Sequence, residues 1–266
     1  MDPTSSRPRK KPAWAIEKDR ARKAGPEPVW LFGLHAVRDA LANPSRDIER
    51  LVVTRNAAAK LDEAIRARDA EVEEADPRKF PAPLDPGSVH QGAALLTRPL
   101  HWGELEEICA PSDADPNPIM VFLDRVTDPH NVGAILRSAE VFGARAVVAP
   151  LRHAAPETGA LAKSASGALE RQPYLRVRNL ADAMERARFL GYRLIGLAGE
   201  AETDITEAVA AEGPVALVLG AEGPGLREKT RKTCDQLAQI PFASDFGSLN
   251  VSNAAAVALH VTRTAR

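Results

Sequence analysis

From Ile119 to its end the chain alternates short apolar runs with amphipathic stretches, and few folds accommodate that order. Residues 119–123 are apolar at every position. Residues 146–149, 174–177, 192–197, 215–219 and 237–240 follow as further strand candidates. Between them, residues 131–142, 157–166 and 180–190 read as helices, and residues 252–264 close the chain with another. Val132, Ile135, Leu136, Ala139 and Phe142 recur at the spacing of one helix face. Strands that alternate with helices predict a mostly parallel sheet covered by helices, an α/β fold. Ligand sites in such folds form where loops leave the sheet edge.

The preceding residues are organised differently. Residues 29–98 predict a small α/β domain. It has a start at Val29-Trp30-Leu31-Phe32-Gly33, a helix carrying His35, Val37, Arg38 and Leu41 that ends at Asn43-Pro44, and a strand over 48–53. A helix over 60–68 and a strand over 93–96 complete it, while the proline-rich stretch 71–86 carries no clear period. Residues 99–117 read as a linker, because three prolines and two acids crowd 110–118. Residues 1–28 read as a disordered basic tail, in which eight basic residues face four acidic ones. That tail serves either solubility or loose phosphate binding.

Composition narrows the setting. The net charge of −1 over 266 residues carries no nucleic-acid signal by itself. Cys109 and Cys234 lack metal-type spacing and read as reduced thiols of a cytosolic protein. No apolar run reaches membrane-spanning length, and no signal-peptide core is expected.

The last helix is apolar on nearly every side through Ala254, Ala255, Ala256, Val257, Ala258, Leu259 and Val261. It reads as a helix buried on both sides, either as a core helix of one subunit or, the reading favoured for a terminal helix, between its own sheet and a second subunit.

Chemical capacity concentrates in three loops. Asn131 opens the first helix of the parallel region and Arg137 follows among apolar neighbours. The turn Gly220-Ala221-Glu222-Gly223-Pro224-Gly225 ends one strand, and Ser248-Leu249-Asn250 precedes the last helix. Each has an ordinary role available. Asn131 and Asn250 suit helix caps, and the glycines suit positive backbone angles. Arg137 needs an anionic partner, either a carboxylate of the protein or a phosphate.

In order and spacing, Asn131-x-Gly133-x3-Arg137, Leu219-Gly220-x-Glu222-Gly223-x-Gly225 and Ser248-Leu249-Asn250-x-Ser252-x-Ala254 resemble the three motifs of the SpoU/TrmH-type RNA ribose 2′-O-methyltransferases, of the SPOUT superfamily. The likeness covers about residues 119–266. More loosely, Phe32-Gly33-Leu34-His35-Ala36-Val37 and His90-Gln91-Gly92 resemble the family's N-terminal substrate domain, which is similar in fold to ribosomal protein L30.

That resemblance implies a trefoil-knotted catalytic domain over 118–266, with the final helix drawn through a loop. Periodicity would not predict it, since connections in proteins avoid knots. It further implies a homodimer, and S-adenosylmethionine held by backbone groups at Leu197, Gly220, Ile240 and Leu249. Asn131, Arg137, Glu222, Ser248 and Asn250 are the implied catalytic residues, and Arg137, His35 and Arg38 the implied RNA contacts. The expected substrate is a ribose 2′-hydroxyl in structured RNA, a guanosine of 23S rRNA, with tRNA as the alternative. No metal and no membrane are called for.

Methyl transfer to that hydroxyl needs in-line geometry and removal of its proton. A protonated arginine suits a phosphate clamp that eases alkoxide formation. The family also admits the arginine as the base. Two rivals remain at this level: a non-catalytic RNA-binding or ribosome-assembly module, and an unknotted Rossmann-type methyltransferase. The second should carry a glycine-rich loop after its first strand, where this chain has Asp124-Arg125-Val126-Thr127-Asp128.

Overall fold

The computed structural model describes residues 27–85, 87–243 and 249–265. Most of the basic tail, and Ser248, lie outside the described residues. The N-terminal sheet contains β1 (Val29–Phe32), β2 (Ile48–Val53), β3 (Val72–Glu74) and β4 (Ala93–Thr97), in the order β1-β4-β2-β3. Strand β4 runs antiparallel to β1 and β2, and β3 runs parallel to β2. Helices α1 (Leu34–Ala42) and α2 (Arg55–Arg68) accompany it. Helix α2 begins five residues before the expected 60, because Thr54 caps it by accepting from the Ala57 amide. The proline-rich stretch supplies β3 and a short 3₁₀ turn, Pro77–Lys79.

The second sheet has six strands, all paired in parallel, as the alternating pattern predicts. They are β5 (Ile119–Asp124), β6 (Ala144–Pro150), β7 (Tyr174–Val177), β8 (Arg193–Leu197), β9 (Val215–Gly220) and β10 (Gln236–Ala238). Their order is β10-β8-β9-β5-β6-β7. Both faces of the central strands are covered, so β5 is buried at all six positions. Its odd and even residues serve different layers. Val121 and Leu123 join a core with α4 (Pro129–Val141), α5 (Gly159–Ala165) and the last helix, α9 (Val251–Thr264). Met120 and Phe122 join a second core with α3 (Leu105–Cys109) and α6 (Leu180–Phe189).

Three helices appear where none was expected: α3, α7 (Ile205–Ala208) and α8 (Glu228–Thr233). All are too short to display a helical period. Helix α3 lies in the stretch read as a linker, where Leu105 and Cys109 are buried against the second core.

The two sheets share a core. Leu31, Val37 and Leu41 belong to the same apolar cluster as Leu161 and Ala165. A Cβ added at Gly159 would lie 2.2 Å from the Phe32 ring, so glycine lets α5 and β1 approach. Beside this contact Arg46 is fully enclosed. Its guanidinium donates to both carboxylate oxygens of Glu170 (2.8 and 2.9 Å), to Glu157 (3.2 Å) and to the Arg98 carbonyl (2.8 Å). Asn43 donates to Glu170 as well, at 2.9 Å.

The last helix is covered on one side only within the single chain. Val251, Ala255, Ala258, Leu259 and Thr262 are buried, while Val257 on the outer side is 38% exposed. One face is therefore covered by this chain and the other is open.

Candidate active site

The carboxyl ends of β8, β9 and β10 and the start of α9 enclose a cavity of about 410 Å³. Leu197, Gly220, Ile240 and Leu249, the four residues singled out for a cofactor, all line it. Leu219, Leu226, Phe242 and Val251 add apolar wall, and Glu200, Glu222 and Arg231 add charge. That mixture of apolar walls and a few polar groups, at that volume, suits a small organic ligand.

Gly220 has a role the sequence did not suggest. A Cβ there would lie 2.2 Å from the Gly225 carbonyl carbon and 2.4 Å from the Leu226 nitrogen. Its missing side chain lets the loop fold back on its own strand, where the Gly225 amide donates to the Ala221 carbonyl at 2.9 Å. The loop is anchored by Asp124, a fully buried carboxylate at the end of β5. Asp124 accepts from the Arg227 backbone amide (3.0 Å) and from its guanidinium (2.6 and 2.7 Å). An acid closing an otherwise apolar run was the available signal for this anchor, since buried carboxylates are almost always paired.

Beside the cavity, three of the expected catalytic residues meet although they are far apart in sequence. Glu222 Oε1 accepts from Asn131 Nδ2 (3.2 Å), Asn250 Nδ2 (2.5 Å) and the Val251 amide (3.3 Å). Asn250 Nδ2 also donates to Asn131 Oδ1, at 2.9 Å. Asn250 combines its two candidate roles. Its Oδ1 caps α9 by accepting from the Ser252 amide (2.9 Å), while its amide group joins Glu222.

Asn131 is not a cap. Helix α4 begins at Pro129, and Asp128 accepts from the His130 amide at 2.9 Å. Proline at the first helical position moves the start two residues upstream. Asn131 thus sits in the first turn with its side chain free to reach Glu222. The glycine between Asn131 and Arg137 serves packing: a Cβ on Gly133 would lie 2.7 Å from the Leu161 carbonyl of α5.

Arg137 is exposed, and no hydrogen bond or ion pair holds it among the described residues. The carboxylate partner that a structural role would require is missing there, and Arg137 does not join the asparagine–glutamate cluster. His35 and Arg38 are exposed on α1, far along the chain from this cavity, and Arg38 lies 3.4 Å from its neighbour Asp39. Burial pushes the Cys109 and Cys234 thiols up to about 12, so neither is a thiolate near neutral pH.

Comparison with known proteins decides the lineage. Residues 118–260 match the SpoU rRNA Methylase family. The chain belongs to that family. In this SpoU methylase, residues 30–102 also match the RNA 2′-O ribose methyltransferase substrate binding family. A 23S rRNA (guanosine-2′-O-)-methyltransferase RlmB of Photobacterium profundum is 39% identical over 86% of this chain and 94% of its own length. Its namesake in Pseudomonas putida is 37% identical over 86% of this chain and 93% of its own length. The SpoU methyltransferase AviRb of Streptomyces viridochromogenes, solved in complex with the cofactor AdoMet, superposes with a TM-score of 0.76 at 23% identity. That match covers 93% of this chain and 92% of that one, and it shows the shared fold. No helix among the described residues is long and apolar enough to cross a membrane.

Proposed function

We propose that this SpoU methylase transfers the methyl group of S-adenosylmethionine to a ribose 2′-hydroxyl of structured RNA, a guanosine of 23S rRNA. One observation carries the reading: the cavity lined by Leu197, Gly220, Ile240 and Leu249 opens beside the Asn131–Glu222–Asn250 cluster. The cavity suits the cofactor, because its apolar walls accept a purine ring and its glycine-dense loop leaves backbone groups accessible. Bound there, the cofactor supplies an electrophilic methyl group. The names of the relatives support the choice of RNA and nucleoside.

The chain's own residues divide the remaining work. Glu222 fixes both asparagine amides through one oxygen and leaves Oε2 without a partner among the described residues, ready to orient a ribose hydroxyl. Arg137, exposed and without a partner among the described residues, clamps the phosphate next to that ribose and lowers the energy of alkoxide character on the 2′-oxygen. We assign Ser248 to the same phosphate on the strength of its place in the third motif.

We further place RNA selectivity in residues 29–98, with His35 and Arg38 among the contacts, and methyl transfer in residues 118–266. The open side of α9 supports a homodimer: Val257 and Val141 are exposed there, and the Phe142 and His260 rings lie 5.6 Å apart beside them. The strand order, with β10 at the sheet edge and α9 returning beside β9, supports the trefoil knot. Two free thiols and a ribosomal RNA substrate support a cytoplasmic setting.

Tritiated methyl transfer to an unmodified 23S rRNA transcript, followed by mapping of 2′-O-methyl positions, tests the reading. One modified guanosine is expected. A protein that binds the cofactor tightly yet transfers no label to ribosomal RNA would be the non-catalytic rival.

A further inference from the structure

Most arginines described here are satisfied within the protein. Arg46, Arg50, Arg145, Arg171, Arg186, Arg188, Arg227 and Arg231 pair with carboxylates, and Arg193 donates to backbone carbonyls. Arg125, Arg152 and Arg178 are exposed and make no hydrogen bond or ion pair among the described residues. Strand register shows that these three share an edge. Asp124 is in register with Gly220, Phe122 with Val148, and Pro150 with Val177. Arg125, Arg152 and Arg178 each follow the carboxyl end of one of the adjacent strands β5, β6 and β7. They form a rim leading away from the Gly220–Glu222 loop at the cavity. With strands about 4.8 Å apart, the rim runs about 14 Å from β9 to β7.

The acids on the same loops do not cancel this charge. Asp124 is buried and paired with Arg227, and Glu157 is buried against Arg46. Asp128 is occupied as the cap of α4, and Asp182 in the first turn of α6 makes no ion pair with Arg178.

The loop that presents Arg152 and His153 is also built in advance. Arg176 pairs with no carboxylate among the described residues. Its guanidinium instead donates to the carbonyls of Pro150 (2.9 Å), Leu151 (3.1 Å), Ala154 (3.4 Å) and Ala155 (2.8 Å). The Tyr174 hydroxyl adds a bond to Ala155 at 2.7 Å. Within these loops Arg125 and His153 hold left-handed backbone, at φ 63° and 60°. Non-glycine residues adopt that region at a cost in strain, and both residues are exposed.

We propose that Arg125, Arg152 and Arg178 are a phosphate track for the substrate RNA, holding the strand that flanks the target ribose as it leaves the catalytic cavity. The inference rests on the RNA methyltransferase reading and adds the path the polyanion takes. Three exposed guanidiniums at adjacent strand ends, one of them on a loop braced by Arg176, suit backbone phosphates and read no base.

The test is the full-length Arg152→Ala/Arg178→Ala double variant, with binding to an unmodified 23S rRNA transcript measured across salt concentrations. Each lost phosphate contact removes about 0.7–0.9 from the slope of log affinity against log salt. The double variant should therefore lose about 1.4–1.8 of slope and raise KM for RNA, while cofactor affinity, melting temperature and kcat at saturating RNA stay as in the parent. Arg152→Lys/Arg178→Lys should recover most of the slope. An unchanged slope and KM in the alanine variant would overturn the track. A parent protein that binds RNA with the full slope but transfers no methyl group would overturn the catalytic reading and leave the track standing.

Discussion

The junction of the two sheets and the carboxyl edge of the large sheet use the same kinds of side chain to opposite ends. At the junction, Arg46, Glu157 and Glu170 are enclosed, the half-buried Asn43 adds a bond to Glu170, and the Arg46 guanidinium is held by two carboxylates and a carbonyl. At the edge, Glu222, Asn131 and Asn250 bond one another but stay open, and Arg137 has no partner among the described residues. A closed cluster can only hold structure, because a ligand cannot reach side chains that are buried and already bonded to one another. An open one is poorly used as structure, since exposed pairs contribute little. The contrast assigns stability to the first region and chemistry to the second.

The strongest way to break the contrast is Arg46→Ala. Removing one partner from a buried ion cluster leaves two carboxylates uncompensated and costs about 3–5 kcal/mol. A large fall in melting temperature is expected, with cofactor affinity of the folded fraction intact. The same contact argues against deleting residues 1–98 as a test of RNA selectivity, since deletion would uncover Gly159 and the shared apolar core. A melting temperature equal to that of the parent would show that the junction is not a structural cluster.

Arg137→Ala is the matching test at the edge. With no partner to orphan, the variant should melt like the parent and bind cofactor normally. Methyl transfer in a single turnover should fall by about 10²–10³-fold, the loss seen when one preorganised donor is removed. Arg137→Lys should recover little, because an ammonium lacks the planar fork. A destabilised variant with full turnover per folded molecule would move Arg137 to the structural side.

These two regions also differ in how legible they were. The edge could be read because its residues fall in three loops at fixed spacing, each beside a clear apolar run. The strand 48–53 and the strand 174–177 were read to the residue for the same reason. Asn131 falls at the site, but the cap role that its position suggests belongs to Asp128, because Pro129 rather than the first apolar residue starts the helix. The junction was invisible. Arg46 lies more than a hundred residues from both Glu157 and Glu170, and a lone arginine after Asn43-Pro44 looks like any turn residue. Helices α3, α7 and α8 escaped because four to six residues cannot show a period of 3.6. Long-range pairing leaves no local trace, whereas loop chemistry does.

A smaller effect sharpens the edge of the contrast. Gly199 lines the cavity, and a Cβ there meets no protein atom within 4 Å. Gly199→Val should therefore fold normally and crowd only a bound ligand. Overpacking of that kind costs about 1–3 kcal/mol, or roughly 5- to 150-fold in cofactor affinity by calorimetry. Gly220→Val is a poorer probe, because its side chain would collide first with Gly225 and Leu226. Unchanged affinity in Gly199→Val would place the cofactor elsewhere.

The smallest effect concerns the pH response of the closed cluster. Burial raises the pKa of Glu157 above the usual carboxylate value, and Arg46 offsets only part of the shift. The folded protein then binds this proton more tightly than the unfolded chain. Stability from Glu157 is complete below the unfolded pKa and declines as pH rises through the folded one. Glu157→Gln removes that titration while keeping an acceptor for Arg46 Nη1. Exposed carboxylates such as Glu73, Glu106 and Glu200 have pKa values lowered by arginine partners and act in the opposite sense, but they are common to both proteins. The difference in melting temperature, variant minus parent, isolates the buried group. It should grow in the variant's favour as pH rises from the ordinary carboxylate range through the raised value, and then level off. Methyl transfer per folded molecule should follow the same pH profile in both proteins, since the edge is untouched. Parallel melting curves would mean that Glu157 is ionised throughout, held by Arg46 as a full ion pair. The cluster would then be closed in charge as well as in hydrogen bonds.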